Sequence, residues 1–206
     1  MVYYISEDSI FQIRVTEPKA RKDLQKLATH LRKRMGIKDN QLYVDVLSIL
    51  EFILPKKDET FEFVVPDRWF TNEIRPAFYN PEENIIYIRA DIYDKLLEGD
   101  GFARFTVMHE ICHYFLFKII GIPHLVDWED VMYYSDAKLH SIDPEWQANV
   151  MASLILCNPD LIKNMSINEV KDQCEVSLKA AETAWNNANE IKYEDIYILN
   201  YASVFC

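Results

Sequence analysis

The chain has little glycine, little cysteine and no long apolar run. Four glycines and eight prolines in 206 residues exclude a linker-rich or low-complexity protein. No apolar stretch approaches the roughly 20 residues that span a bilayer. The opening residues, MVYYISEDSIFQIRV, have no basic n-region, no continuous apolar segment and no small-residue cleavage site. A secretory signal is therefore not expected, and a cytoplasmic location is favoured over export by an unusual route. The cysteines, Cys112, Cys157, Cys174 and Cys206, form no CxxC pair, and their spacing suggests no disulfide framework; reduced thiols are the expectation. Half of the residues are apolar, enough at this length for one real core.

Positive charge is scarce. The net charge of −11 argues against direct nucleic-acid binding, because affinity for phosphates comes from neutralising cations. The exception is segment 16–38, where eight Lys or Arg face only Glu17 and Asp23. A solvated helix face is the plainer reading of that segment, and docking onto an acidic partner the other.

Periodicity places the elements. Thr16 followed by Glu17-Pro18 opens a helix carrying Leu24, Leu27, Ala28, Leu31 and Met35, and Gly36 stops it. A second helix is expected from Tyr43 to Leu54, ended by Pro55. Residues 60–65 (TFEFVV) alternate as a strand up to Pro66. Ile74–Tyr79 and Asn84–Arg89 flank Asn80-Pro81-Glu82-Glu83, which suits a hairpin with proline at the second turn position. Helices follow at Asp91–Leu97 and Phe102–Ile120, then an irregular stretch from Ile122 to Asp143. Asp143-Pro144-Glu145 opens a helix to Cys157, and Asn158-Pro159 breaks it. Two more helices, Ile167–Gln173 and Ser177–Glu190, precede an apolar tail, Asp195–Phe205. Helices, then strands, then helices indicate an α+β fold, helix-rich, with a small antiparallel sheet packed against the helix at 102–120.

That helix carries His109-Glu110-Ile111-Cys112-His113. Side chains four apart share a helix face, so His109 and His113 can chelate one ion. Glu110 lies about 100° round from His109, where it can act as general base without being a ligand. The neighbours Phe105, Val107, Met108, Ile111, Tyr114, Phe115 and Leu116 are apolar, and buried imidazoles and carboxylates in such company need strong partners. A metal ion supplies them, and neutral imidazoles suit Zn2+.

A catalytic zinc needs a third protein ligand. Leu116 and Ile119 stand where the metzincin pattern has glycine and histidine, which excludes that class. Glu145, 32 residues after His113, is the leading candidate, with His140, His124 and Asp143 as competitors. Asn149, one turn beyond Glu145, can support a ligand imidazole. His30 reads as an ordinary half-buried residue. Cys112 and His113 point about 100° apart as helix neighbours, which disfavours a Cys–His nucleophile pair, and Cys112 is expected to pack as a small apolar residue. Tyr133, Tyr134 or Arg104 can supply a donor to a transition-state oxyanion.

Three segments carry a family resemblance. Arg104–Leu116 is similar to the RFTLAHELGHLLL segment of the ImmA/IrrE metallopeptidases. Glu145, Ala148, Asn149, Ala152, Ile155 and Leu156 resemble that family's E-x-x-A-N-x-F-A-x-x-L-L helix, and residues 176–181 its VSxxAA element. The resemblance spans about 104–185, and the hairpin before it also fits. It implies zinc ligands His109, His113 and Glu145, general base Glu110, and cleavage of a partner protein, a helix-turn-helix repressor of a mobile element or stress response. The chain departs from the pattern at Cys112, at Cys157-Asn158-Pro159, and in its long 121–144 loop.

The expectation is therefore one metallopeptidase domain: a helical part over 1–60, the sheet and zinc helices over 61–160, and a helical part with a tail over 161–206. A metal-stabilised binding module without turnover, an antirepressor or toxin–antitoxin component, is the alternative. DNA binding through the helix pair 167–190 is disfavoured, because its second helix offers only Lys179 before Lys192, beside Glu182 and Glu190.

Overall fold

The computed structural model describes residues 21–69, 75–120 and 144–189. Helix α1 (Arg21–Arg34) buries Leu24, Leu27, Ala28 and Leu31, and Gly36 follows it at φ +78°, the left-handed residue that closes a helix. The cap read at Thr16 and the tail at 195–205 lie outside the described residues.

The next helical run departs from expectation at Pro55. Asp45 caps α2 (Val46–Ser48) through its carboxylate, a π-helical turn spans Ile49–Ile53, and α3 (Leu54–Lys57) follows with Pro55 in its first turn. The Leu54 N–H reaches back to Ile49 O. The widened turn leaves room for the pyrrolidine ring and asks no N–H of it, so the proline sits inside the helix rather than ending it.

Strands β1 (Glu62–Val64), β2 (Ala77–Asn80) and β3 (Ile85–Ile88) form one sheet in the order β1-β3-β2. β2 and β3 are the expected antiparallel hairpin. Its loop is set by Asn80, whose Oδ1 accepts from the Glu82 and Glu83 N–H groups at 3.0 and 3.4 Å, and by Asn84 at φ +60°. Asparagine tolerates that left-handed backbone better than most residues. β1, however, pairs parallel with β3, so the sheet is mixed rather than purely antiparallel. The hairpin claims one edge of β3, and β1 takes the other.

Helix α4 (Ala90–Leu97) ends at Gly99, φ +79°. Asp100 then caps α5 (Gly101–Ile120), accepting from the Phe102 and Ala103 N–H groups at 3.0 and 2.9 Å. α6 (Pro144–Leu156) packs along α5, and α1 packs on α6. Asn158-Pro159 breaks α6 as expected, but Asn158 also caps a short α7 (Pro159–Ile162). A capping box between Ser166 and Glu169 starts α8 (Ile167–Cys174), and Ser177 caps α9 (Leu178–Ala188). The architecture is α+β and helix-rich. Its buried apolar residues form one cluster, running from Leu24 and Leu31 through Ile86 and Ile88 to Met108, Ile111, Met151 and Ile155. Among the described residues, no helix is long and apolar enough to cross a membrane.

Candidate metal centre

The 3.6-residue period of α5 turns His109 and His113 to one side, where the first turn of α6 presents Glu145. Both histidines are buried. His113 Nε2 lies 2.9 Å from His109 Nε2. The Glu145 carboxylate divides between them, Oε2 at 3.2 Å from His109 Nε2 and Oε1 at 3.2 Å from His113 Nε2. At the second position of α6, that carboxylate also faces the positive end of the helix dipole.

Ligand atoms held about 2.1 Å from a tetrahedral ion stand about 3.4 Å apart. The observed separations are close to that, and three such atoms lie within 4.8 Å of one another. His109, His113 and Glu145 therefore form a group that can hold a metal ion. Asn149 hydrogen-bonds the His109 ring, the kind of contact that fixes a ligand imidazole's orientation.

The electrostatics show how tightly these groups are coupled. Burial works to lower the His109 pKa, but the Glu145 hydrogen bond and the fields of Glu110 and Glu145 outweigh it, and the pKa is raised. Burial likewise opposes ionisation of Glu145, yet the hydrogen bonds and charges of His109 and His113 pull it far below the usual carboxylate range.

Glu110 is not part of the triad. It points from α5 towards β2, where its Oε2 accepts the main-chain N–H of Tyr79 at 2.9 Å. Burial pushes its pKa up to about 7; Glu145 adds to the rise, while His109, the Tyr79 N–H and Arg75 restrain it. A carboxyl that changes protonation near neutrality suits proton transfer.

Below the site, a polar network ties the hairpin to α5. Asp58 Oδ2 accepts from Tyr114 Oη at 3.0 Å and pairs with Lys118 Nζ at 3.5 Å. Asn84 Nδ2 donates to Asp58 and to Thr60 Oγ1, while its Oδ1 accepts from Tyr79 Oη at 2.9 Å. Sequence reasoning missed all of these residues. The signal was Asn84 at the end of a turn; apart from the Tyr79–Asn84 bond, the partners lie 24 to 60 residues apart and leave no local pattern.

Arg104 is corrected. It does not face the site: its Nη2 donates to Val44 O at 2.7 Å and its Nη1 to Cys174 O at 3.1 Å and to Glu175 O. From His109, five residues back along a helix is about 140° round, which turns Arg104 towards α8 and away from the metal ligands. Cys112 is fully buried, and burial followed by the nearby Glu110 pushes its thiol well up. His30 is half-buried on α1, accepting from Arg34 Nε at 3.2 Å. His124, His140, Asp143, Tyr133 and Tyr134 lie outside the described residues. Compared with protein-family models, curated proteins and solved structures, the chain matches none.

Proposed function

We propose that the chain is a zinc-dependent endopeptidase that cuts a specific intracellular protein. One observation supports this most: three ligand atoms converge beside a buried glutamate that is not a ligand, and that glutamate is held by the adjacent strand. Two imidazoles and a carboxylate are a donor set that zinc favours among the common divalent ions. When bound, zinc acts as a Lewis acid that makes water nucleophilic and polarises the scissile carbonyl. Glu110 takes the proton of the attacking water and passes it to the departing amine. The Tyr79 N–H occupies its Oε2, leaving Oε1 for that proton. Asn149 steadies His109. Tyr133 and Tyr134 remain the candidates for the donor to the tetrahedral oxygen.

The partner class, a helix-turn-helix repressor of a mobile element or stress response, rests on the resemblance of segments 104–116, 145–156 and 176–181 to the ImmA/IrrE metallopeptidases. The test compares zinc-loaded wild type with Glu110→Gln in an extract of the source cell, quantifying new protein N-termini. One or very few new termini, present with wild type and reduced at least about a hundredfold by the variant, are expected. Identical profiles with and without active protein would leave the metal-stabilised binding module as the better account.

A further inference from the structure

The side of α5 next to the metal ligands carries a second stripe of side chains. Glu110, Tyr114, Phe117 and Lys118 stand at i, i+4, i+7 and i+8, one helix face, and each meets Tyr79 or Asp58. Glu110 Oε2 accepts the Tyr79 N–H at 2.9 Å. The Tyr79 ring packs edge-on against Tyr114 and Phe117, with centroids 5.8 and 6.2 Å apart. Tyr114 Oη and Lys118 Nζ reach Asp58 Oδ2 at 3.0 and 3.5 Å, and Asp58 itself is the residue that closes α3.

Asn84 closes these contacts into a ring. It is buried, at φ +60°. Its Oδ1 accepts from Tyr79 Oη at 2.9 Å, and its Nδ2 donates to Thr60 Oγ1 at 2.8 Å and to Asp58 Oδ2 at 3.3 Å. The Thr60 hydroxyl donates in turn to Asp58 Oδ1 at 2.7 Å. The donors therefore run one way, from Tyr79 through Asn84 and Thr60 to the Asp58 carboxylate, and bonds aligned in this manner reinforce one another. The position needs a residue that tolerates a left-handed backbone and offers both an acceptor and a donor, which asparagine does. Aspartate would fit the backbone but set a second carboxylate against Asp58.

We propose that Asn84 is a positioning residue for Glu110. By anchoring the Tyr79 side chain to Asp58, it keeps the Tyr79 N–H on Glu110 Oε2 and so fixes which carboxylate oxygen is left for proton transfer. The proposal rests on Glu110 being the general base. Asn84 bonds to Tyr79, Thr60 and Asp58, so its effect passes through β2 and leaves the ligands His109, His113 and Glu145 in place. Loosening the ring frees β2 to shift against α5, and a displacement of about 1 Å near a reacting group can cost about a hundredfold in rate.

The test compares zinc-loaded, full-length wild type with Asn84→Gly, which deletes the side chain and keeps the left-handed backbone, and with Tyr79→Phe, which deletes only the hydroxyl. The first readout is the amide resonance at position 79, identified by its shift in Glu110→Gln; it needs no substrate. In both variants this amide should exchange with solvent at least about tenfold faster than in wild type, while the β3 amides keep their rates. The second readout is turnover of the cleaved partner: kcat should fall about ten- to a hundredfold, with KM and zinc content unchanged. Unchanged exchange at position 79, or equally faster exchange throughout β3, would overturn the proposal. So would an unchanged kcat in a variant whose amide has loosened. Turnover retained by Glu110→Gln would instead sink the general-base reading, which the exchange rates do not touch. If Asn84→Gly fails to fold, Tyr79→Phe carries both measurements.

Discussion

The main-chain N–H of Tyr79 donates to Glu110 Oε2 at 2.9 Å, joining an edge strand to the helix that carries His109 and His113. Among the described residues, strand β2 pairs only with β3, and this N–H points to α5 and donates to the carboxylate. The side chain of the same residue is buried and gives its hydroxyl to Asn84 Oδ1 at 2.9 Å. One residue therefore holds Glu110 with its backbone and the hairpin loop with its side chain.

The triad predicts metal-dependent stability. A zinc ion that binds the folded chain and not the unfolded one adds about 2.7 kcal/mol at a free concentration one hundred times its dissociation constant. Purified wild type should carry one zinc by elemental analysis, and a chelator should lower its melting temperature. His113→Ala and Glu145→Ala should each lose the metal and the chelator response. Retention of stoichiometric zinc by Glu145→Ala would remove that residue from the ligand set.

Asp58 predicts an acid limb in the stability curve. Its burial opposes ionisation, but hydrogen bonds from the Thr60 side chain and backbone and from Tyr114, with the charge of Lys118, outweigh this and hold its pKa at about 2 against 3.8. A carboxyl depressed on folding stabilises the native state above its unfolded pKa, and that stability is lost as pH falls from about 4 to 2. The contribution should be about 1–2 kcal/mol, because the Lys118 side chain is 31% exposed and its share is screened. Chemical denaturation across pH 2–7 should show this loss in wild type and a flatter curve in Asp58→Asn. Parallel curves for the two proteins would refute the assignment.

What the sequence made legible was local. The helical spacing of His109 and His113, the proline-acid start at Pro144-Glu145, the glycine stops at 36 and 99 and the hairpin turn at Asn80 are each written within a few residues. What it hid depends on chain segments meeting in space. Pro55 read as a stop because nothing in Ile49–Ile53 announces a π turn. β1 gave no sign of its parallel pairing, since direction is set by the connection and not by the strand. Arg104, close to the motif, read as one of three candidates for an active-site donor, beside Tyr133 and Tyr134; the carbonyls it serves come from residues 44, 174 and 175.

Gly101 predicts an intolerance that its ordinary backbone conformation would not suggest. A Cβ there would lie 2.6 Å from Ser177 N and 2.9 Å from Val176 Cα, backbone atoms that cannot rotate aside. Gly101→Ala should cost about 1–3 kcal/mol by forcing apart the start of α5 and the start of α9. Urea unfolding measures this directly. A neutral or stabilising result would mean that the two segments pack less closely than the structure places them.

Arg104 separates structure from chemistry. Its guanidinium serves the carbonyls of Val44, Cys174 and Glu175 and lies over the Tyr43 ring, 4.4 Å from the centroid. Removing it leaves buried acceptors unpaired at the end of α8, so Arg104→Ala should destabilise the protein by about 2–4 kcal/mol. Arg104→Lys should recover little, because an ammonium cannot span three acceptors held in a planar fork. Zinc content and any turnover per folded molecule should stay at wild-type levels in the lysine variant at low temperature. If that variant instead kept full stability and lost turnover selectively, Arg104 would have to reach the reacting carbonyl, and its place against α8 would be wrong.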